Sequence, residues 1–284
     1  MRGHCLCGEV RYAASGPAGD MWYCHCASCA RASGVGFGTW IEATGVHWEA
    51  GTHRRVRIAG AGPLVRSFCA NCASQLPAER RDGSAALLPA GGLDDVGGLR
   101  PAWHAHVAGR GSWMPAMASL PCHPGSRHAA STPAVSRLEP AAPLAVSSTV
   151  TGHCLCGAVR YEIGARLYAM RACHCSRCRR RSGSSYLVAL ACAASGLTFL
   201  SGAASIRRWQ LPEAARYLVT FCGECGASVP SVIGDVAFIT AGSLDADPGV
   251  RTRCHIYFGS RAGWIDAEDD LPHFDERPPH DFRW

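Results

Sequence analysis

Three cysteines fall within six residues at Cys173-His174-Cys175-Ser176-Arg177-Cys178, closer together than packing requires. The same C-H-C-x-x-C run stands 149 residues upstream, as Cys24-His25-Cys26-Ala27-Ser28-Cys29. A repeat at this distance marks two copies of one folding unit. The match extends outward. Gly3-His4-Cys5-Leu6-Cys7-Gly8-Glu9-Val10-Arg11-Tyr12 aligns with Gly152-His153-Cys154-Leu155-Cys156-Gly157-Ala158-Val159-Arg160-Tyr161. Phe68-Cys69-Ala70-Asn71-Cys72 aligns with Phe221-Cys222-Gly223-Glu224-Cys225, and His104 and Trp113 align with His255 and Trp264. Of the 17 cysteines, seven per half are matched. Five of their six spacings are identical; the sixth is 40 residues in one half and 44 in the other, which suggests a loop insertion.

The repeat sets the domain reading: a first module over 1–120, a linker over 121–148 rich in Pro and Ala, and a second module over 149–284. Cys122 falls in the linker without a counterpart; Cys192 and Cys254 also lack one and read as buried apolar groups. Glu9–Tyr12, Ala158–Ile163, Tyr186–Leu190, Val236–Thr240 and Cys254–Phe258 are short apolar or alternating runs punctuated by Gly and Pro, as strands are. Arg177–Arg181 reads as one helical turn. An all-β fold is expected, stapled by metal, in units of a size that can fold alone.

With 48% hydrophobic and 18% charged residues the chain has the composition of a packed protein. The formal charge of +6 suggests nucleic acid, but fourteen thiolates and four zinc ions would bring it to zero, so no nucleic-acid partner is expected. No apolar segment precedes the first motif and none is long enough to span a bilayer, so the expectation is a cytoplasmic protein without a membrane partner.

Each half offers two kinds of cysteine cluster. C-x-C and F-C-x-x-C are two-ligand knuckles, and two knuckles brought together make one closed tetrahedral site. That construction uses Cys5, Cys7, Cys69 and Cys72 in the first half, and Cys154, Cys156, Cys222 and Cys225 in the second. The remaining cluster, Cys24, Cys26 and Cys29 or Cys173, Cys175 and Cys178, supplies three thiolates. Such a zinc site keeps an open position for a ligand-exchanging or catalytic role. His174 as a fourth ligand and a redox role are the competing readings; on extended backbone, neighbours of Cys173 and Cys175 point away from them. His104 and His255 fit a buried or a site role equally. Arg177, Arg179, Arg180 and Arg181 are either a solvated basic face or an anion site beside the open position.

Together, G-x-C-x-C-G-x-V-x-Y, C-H-C-x-x-C followed by Ser-Gly, F-C-x-x-C and the late Gly242-Ser243-Leu244-Asp245 resemble the glutathione-dependent formaldehyde-activating enzyme and centromere protein V family. The resemblance covers both halves in order. It implies tandem zinc-binding β-tent modules with two zinc ions each, four per chain. It assigns structural zinc to the four-cysteine sets and active-site zinc to the three-cysteine sets. It implies a carbon–sulfur lyase that adds glutathione, as co-substrate, to formaldehyde or a related electrophile, with Arg177, Arg179 and Arg180 meeting the glutathione carboxylates. The first half departs from the pattern with Ala30 for Arg179 and Ala73 for Gly226. The reading from another class is a non-catalytic, zinc-stapled binding protein for a protein or nucleic-acid partner. The two halves are also expected to pair as an intramolecular pseudo-dimer.

Overall fold

A computed structural model describes the chain except residues 17, 59–62, 116, 118, 127–148, 215–216, 267–268 and 284. Short strands dominate. The two α-helices among the described residues, α1 over Ala27–Ser33 and α2 over Ser176–Ser182, are seven residues each and begin inside the C-H-C-x-x-C runs. The fold is the expected β-rich one in two halves, and the turn expected at Arg177–Arg181 is extended by one residue at each end.

In the first half, Arg2–His4, Arg11–Ala14 and Val46–Ala50 form a three-stranded antiparallel sheet. An eight-stranded sheet runs in the spatial order Cys122–His123, Pro101–Ala105, Ala18–Cys24, Gly38–Ala43, Ala86–Pro89, Gln75–Arg80, Leu64–Cys69, Arg55–Arg57. The second half repeats the small sheet with Val150–His153, Arg160–Ile163 and Leu197–Ser201. Its larger sheet has six strands: Ser231–Ile233, Val236–Thr240, Leu187–Ala193, Tyr168–Cys173, His255–Ile256 and His273–Phe274. The hairpin Ile206–Gln210 with Leu218–Cys222 stands apart as a two-stranded sheet, met by a bridge from Phe221 to Ser228. Burial follows the period of two that the sequence shows: Ala237 and Ile239 point inward from one strand, Tyr161 and Ile163 from another.

The strands expected at Glu9–Tyr12, Ala158–Ile163 and Tyr186–Leu190 run over Arg11–Ala14, Arg160–Ile163 and Leu187–Ala193, and three further details differ from the sequence reading. The expected strand Cys254–Phe258 shortens to His255–Ile256, because Tyr257 turns left-handed (φ 54°) and starts a 3₁₀ turn. The four-residue difference between halves is two separate steps, not one insertion. One is the 3₁₀ turn Ala194–Gly196 and the other lengthens the hairpin after Ile206, whose register reaches Gln210↔Leu218. Finally, Cys122–His123 is a strand paired in parallel with Pro101–Ala105, His104 facing Cys122. In the second half His255 faces His273 in the same way. Cys122 thus has a register counterpart in His273, and ordered pairing continues past residue 120. The rest of the linker reading, 127–148, lies outside the described residues.

The halves touch through matching parts. Arg31 of α1 donates to the carbonyls of His153 and Ser243 and to Asp245; Arg180 of α2 donates to those of His4 and Gly92 and to Asp94. The Gly91 N–H donates to Gly183 O at 3.1 Å and the Gly242 N–H to Gly34 O at 3.0 Å. These glycines permit the approach: a Cβ on Gly91 would stand 2.4 Å from Ser184 O, and one on Gly242 2.3 Å from Ala30 O. Tyr23, Val35, Phe37 and Trp113 share one buried cluster with Tyr186, Val188, Leu190 and Ile239, while Trp264 packs on the core of the first half.

Candidate metal centres

The N-terminal turn Cys5-Leu6-Cys7-Gly8 and the turn Cys69–Cys72 bring four sulfurs together, and Cys154, Cys156, Cys222 and Cys225 meet in the same way. Neighbouring sulfurs are 3.3 Å (Cys5–Cys7) and 3.8 Å (Cys7–Cys69) apart, and 3.5 and 3.8 Å apart in the second set. Tetrahedral zinc with Zn–S near 2.3 Å places its sulfurs about 3.8 Å apart, so both sets fit such an ion. The N–H groups of Val10 and Val159 point at Cys5 and Cys154 Sγ from 3.3 Å, stabilising thiolate charge.

The three-cysteine clusters sit where a strand passes into a helix. Cys24 and Cys173 end strands, and Cys26 and Cys175 are the N-caps of α1 and α2, accepting the N–H of Cys29 and Cys178 on their sulfurs. Cys24–Cys26 and Cys173–Cys175 are both 3.6 Å apart, again metal-ligand spacing. Among the described residues neither cluster includes a fourth His, Asp, Glu or Cys donor. In the second cluster the Cys175 thiol is held down to about 3 by hydrogen bonds with Cys173 and Cys178, while hydrogen bonds with Cys173 and Cys175 push Cys178 up.

His174 turns away from the sulfurs. Its Nε2 lies 2.7 Å from His255 Nδ1, and His25 Nε2 lies 3.0 Å from His104 Nδ1. Burial pushes His174 down to about 2, with His255 and Arg179 adding to it, and drives His25 well below its ordinary value. Both are neutral imidazoles paired behind the metal ligands, which gives His104 and His255 the role of their partners.

The two clusters are covered differently. In the first half Arg66 Nη2 donates to Cys29 Sγ at 3.1 Å and Trp40 Nε1 donates to it at 3.4 Å, with the guanidinium over the indole. Hydrogen bonds with Cys24 and Cys26 lower the Cys29 thiol well below its ordinary value, and Arg66 adds to the effect. In the second half Tyr217 Oη reaches Cys178 Sγ at 3.9 Å, and burial keeps its phenol protonated. Arg66, Trp40 and Tyr217 are site residues that sequence reasoning missed. Arg66 and Trp40 lie on other strands and Tyr217 just before one, and no local motif places them.

The arginines after Cys175 divide their work. Arg179 Nη1 donates to the carbonyls of His174 and Ser260. Arg180 crosses to the first half, and buried Arg181 holds Gly226 O and Ser228. Arg177 is exposed at the start of α2. A cleft of about 460 Å³ between the halves is lined by Asp94 and Arg100 from the first and by Ser176, Arg179, Arg180 and Arg261 from the second. The cysteines do not line it; it opens on the side of α2 that carries Ser176, Arg179 and Arg180. No helix of the described residues is long and apolar enough to cross a membrane.

The family model described as glutathione-dependent formaldehyde-activating enzyme matches residues 1–109 and again 149–260. Among solved structures, that of a Rhodobacter sphaeroides protein is similar over 34% of this chain and 92% of its own, at 21% identity and a TM-score of 0.30. No curated protein matches the chain.

Proposed function

The chain belongs to the glutathione-dependent formaldehyde-activating enzyme family, and from that membership we propose that its second half adds a small thiol, glutathione foremost, to the carbonyl carbon of formaldehyde or another small aldehyde. The thiol sulfur bonds to the aldehyde carbon, the carbonyl π pair moves to oxygen, and that oxygen gains the proton the thiol gives up. The observation that carries this reading is the three-sulfur cluster at metal-ligand spacing with no fourth side-chain donor among the described residues. Zinc there would supply Lewis acidity and hold an incoming thiol as thiolate; in the four-cysteine sets it would be structural.

The chain's own groups support the second half over the first. Tyr217 keeps its proton beside Cys178 and can donate to the oxygen that becomes hydroxyl; its aligned residue in the first half is Leu64. Arg179, Arg180, Arg261 and Arg100 line a cleft suited to carboxylates, and Asp94 suits an amine. A tripeptide spans roughly 10 Å, enough to reach from that cleft across the first turn of α2 toward the sulfurs. The first half supplies Asp94 and Arg100, so the halves act here as an intramolecular pseudo-dimer. In the first half Arg66 and Trp40 occupy the approach to Cys29, and Ala30 stands where Arg179 does, which fits a structural copy. Clusters of reduced thiols suit a cytoplasmic setting.

Zinc-edge X-ray absorption with and without glutathione tests this. Added sulfur coordination on glutathione, abolished in Cys175→Ser and retained in Cys26→Ser, is the expected result. Protein-only coordination that ignores glutathione would instead leave a zinc-stapled binding scaffold.

A further inference from the structure

Outside the four sulfur clusters, one further set of donors among the described residues stands at ligand spacing. His255 is buried on the strand His255–Ile256, Asp269 is nearly buried, and His273 opens the neighbouring strand with a third of its side chain exposed. His255 Nε2 lies 3.0 and 3.2 Å from the two Asp269 oxygens, and His273 Nε2 lies 3.9 Å from Asp269 Oδ1. One donor atom from each residue lies within 4.8 Å of the others.

We propose that His255, Asp269 and His273 form an additional metal site, for a borderline divalent ion such as zinc, carried by the second half alone. Two imidazoles and one carboxylate select zinc and its first-row neighbours over magnesium or calcium. Zinc with N and O donors near 2.0–2.2 Å sets them about 3.3 Å apart, within the separations seen. The outer contacts are those of a held site. His255 Nδ1 faces His174 Nε2, Asp269 accepts the Leu271 N–H at 3.1 Å, and His273 stacks on Phe258 with centroids 4.2 Å apart and planes 7° from parallel. The exposed edge of His273 gives an entry path. The first half carries His104, Ala118 and Cys122 at the aligned positions, without a carboxylate. An ion on His255 Nε2 commits that ring's proton to Nδ1 and so to His174, whose backbone lies between Cys173 and Cys175. The site is therefore connected to the second three-cysteine cluster; the first half has the matching His25–His104 pair but no Asp or second His at the aligned positions to hold an ion beside it.

The test is metal counting on the full-length, zinc-loaded protein dialysed against micromolar free zinc. Wild type is expected to hold one ion per chain more than Asp269→Asn or His273→Ala, with Cys122→Ala unchanged. Cobalt added to protein whose zinc has been reduced to the four sulfur clusters, by dialysis against zinc-free buffer, should enter this site and show d–d absorption without a sulfur-to-cobalt charge-transfer band. Equal metal content in wild type and both variants, or added cobalt in wild type that shows only thiolate charge transfer, would overturn the site.

Discussion

At the scale of single residues, the repeat itself makes the best controls. Gly226 and Ala73 occupy the same place after F-C-x-x-C, and both are left-handed, at φ 68° and 56°. In Gly226 a Cβ would meet the Phe68 ring at 2.3 Å, so glycine is demanded by both backbone and space. Ala73 accepts the strained conformation. Gly226→Ala should therefore destabilise by about 2 kcal/mol or more, from backbone strain plus overpacking. Ala73→Gly should be neutral or stabilising by up to about 1 kcal/mol. Denaturant unfolding of the two variants checks both, and opposite signs are the expected result. The sequence displayed this difference as a departure from the family pattern. It did not display Arg66 or Tyr217, because their approach to Cys29 and Cys178 depends on register across a hairpin. It marked Arg179 and Arg180 as neighbours of the cluster, but their carbonyl partners come from Ser260, His4 and Gly92, remote in the chain.

At the scale of elements, a cysteine does two jobs at the start of each helix. Cys175 caps α2 through its sulfur and belongs to the three-cysteine cluster, which ties the helix direction to the metal site. The helix ends at Gly183 (φ 69°). Serine at position 175 keeps a capping acceptor but is a poor soft ligand. Cys175→Ser should thus keep the strand signal in circular dichroism while lowering bound zinc by one ion per chain; loss of two or more would show that the sites are coupled. This geometry was legible, since C-H-C-x-x-C puts two cysteines at the end of an extended stretch and the third in the first turn of the adjoining helix. The shortened strand at His255–Ile256 was not. A left-handed Tyr257 carries no sequence mark of the kind a glycine would leave.

At the scale of the molecule, the sequence showed two copies and left open which faces meet, because complementarity of this kind lies between positions 86 to 214 residues apart. Arg31 and Arg180 read as ordinary basic helix residues until their carbonyl partners are seen in the other half. The contact is not wholly symmetric. Ser112 of the first half donates to Asp247 of the second, while the aligned positions are Gly263 and Val96. Burial opposes the Asp247 charge, but hydrogen bonds from Arg251, Ser112 and the Gly249 N–H outweigh it and hold the carboxyl below the usual carboxylate range. A carboxyl depressed in the folded state contributes stability that is complete above its unfolded value, near 3.9, and lost as pH falls through the lower folded value. Removing that charge should cost about 1–3 kcal/mol at neutral pH. Urea unfolding of wild type and Asp247→Asn should then differ at pH 7 and 5, and the gap should close below about pH 4. Acid also releases thiolate-bound metal from both proteins alike, so the difference between them, rather than either curve, isolates the Asp247 carboxylate with its partners Arg251, Ser112 and Gly249. A gap that persists unchanged into acid would mean that Asp247 acts through packing and not through its charge.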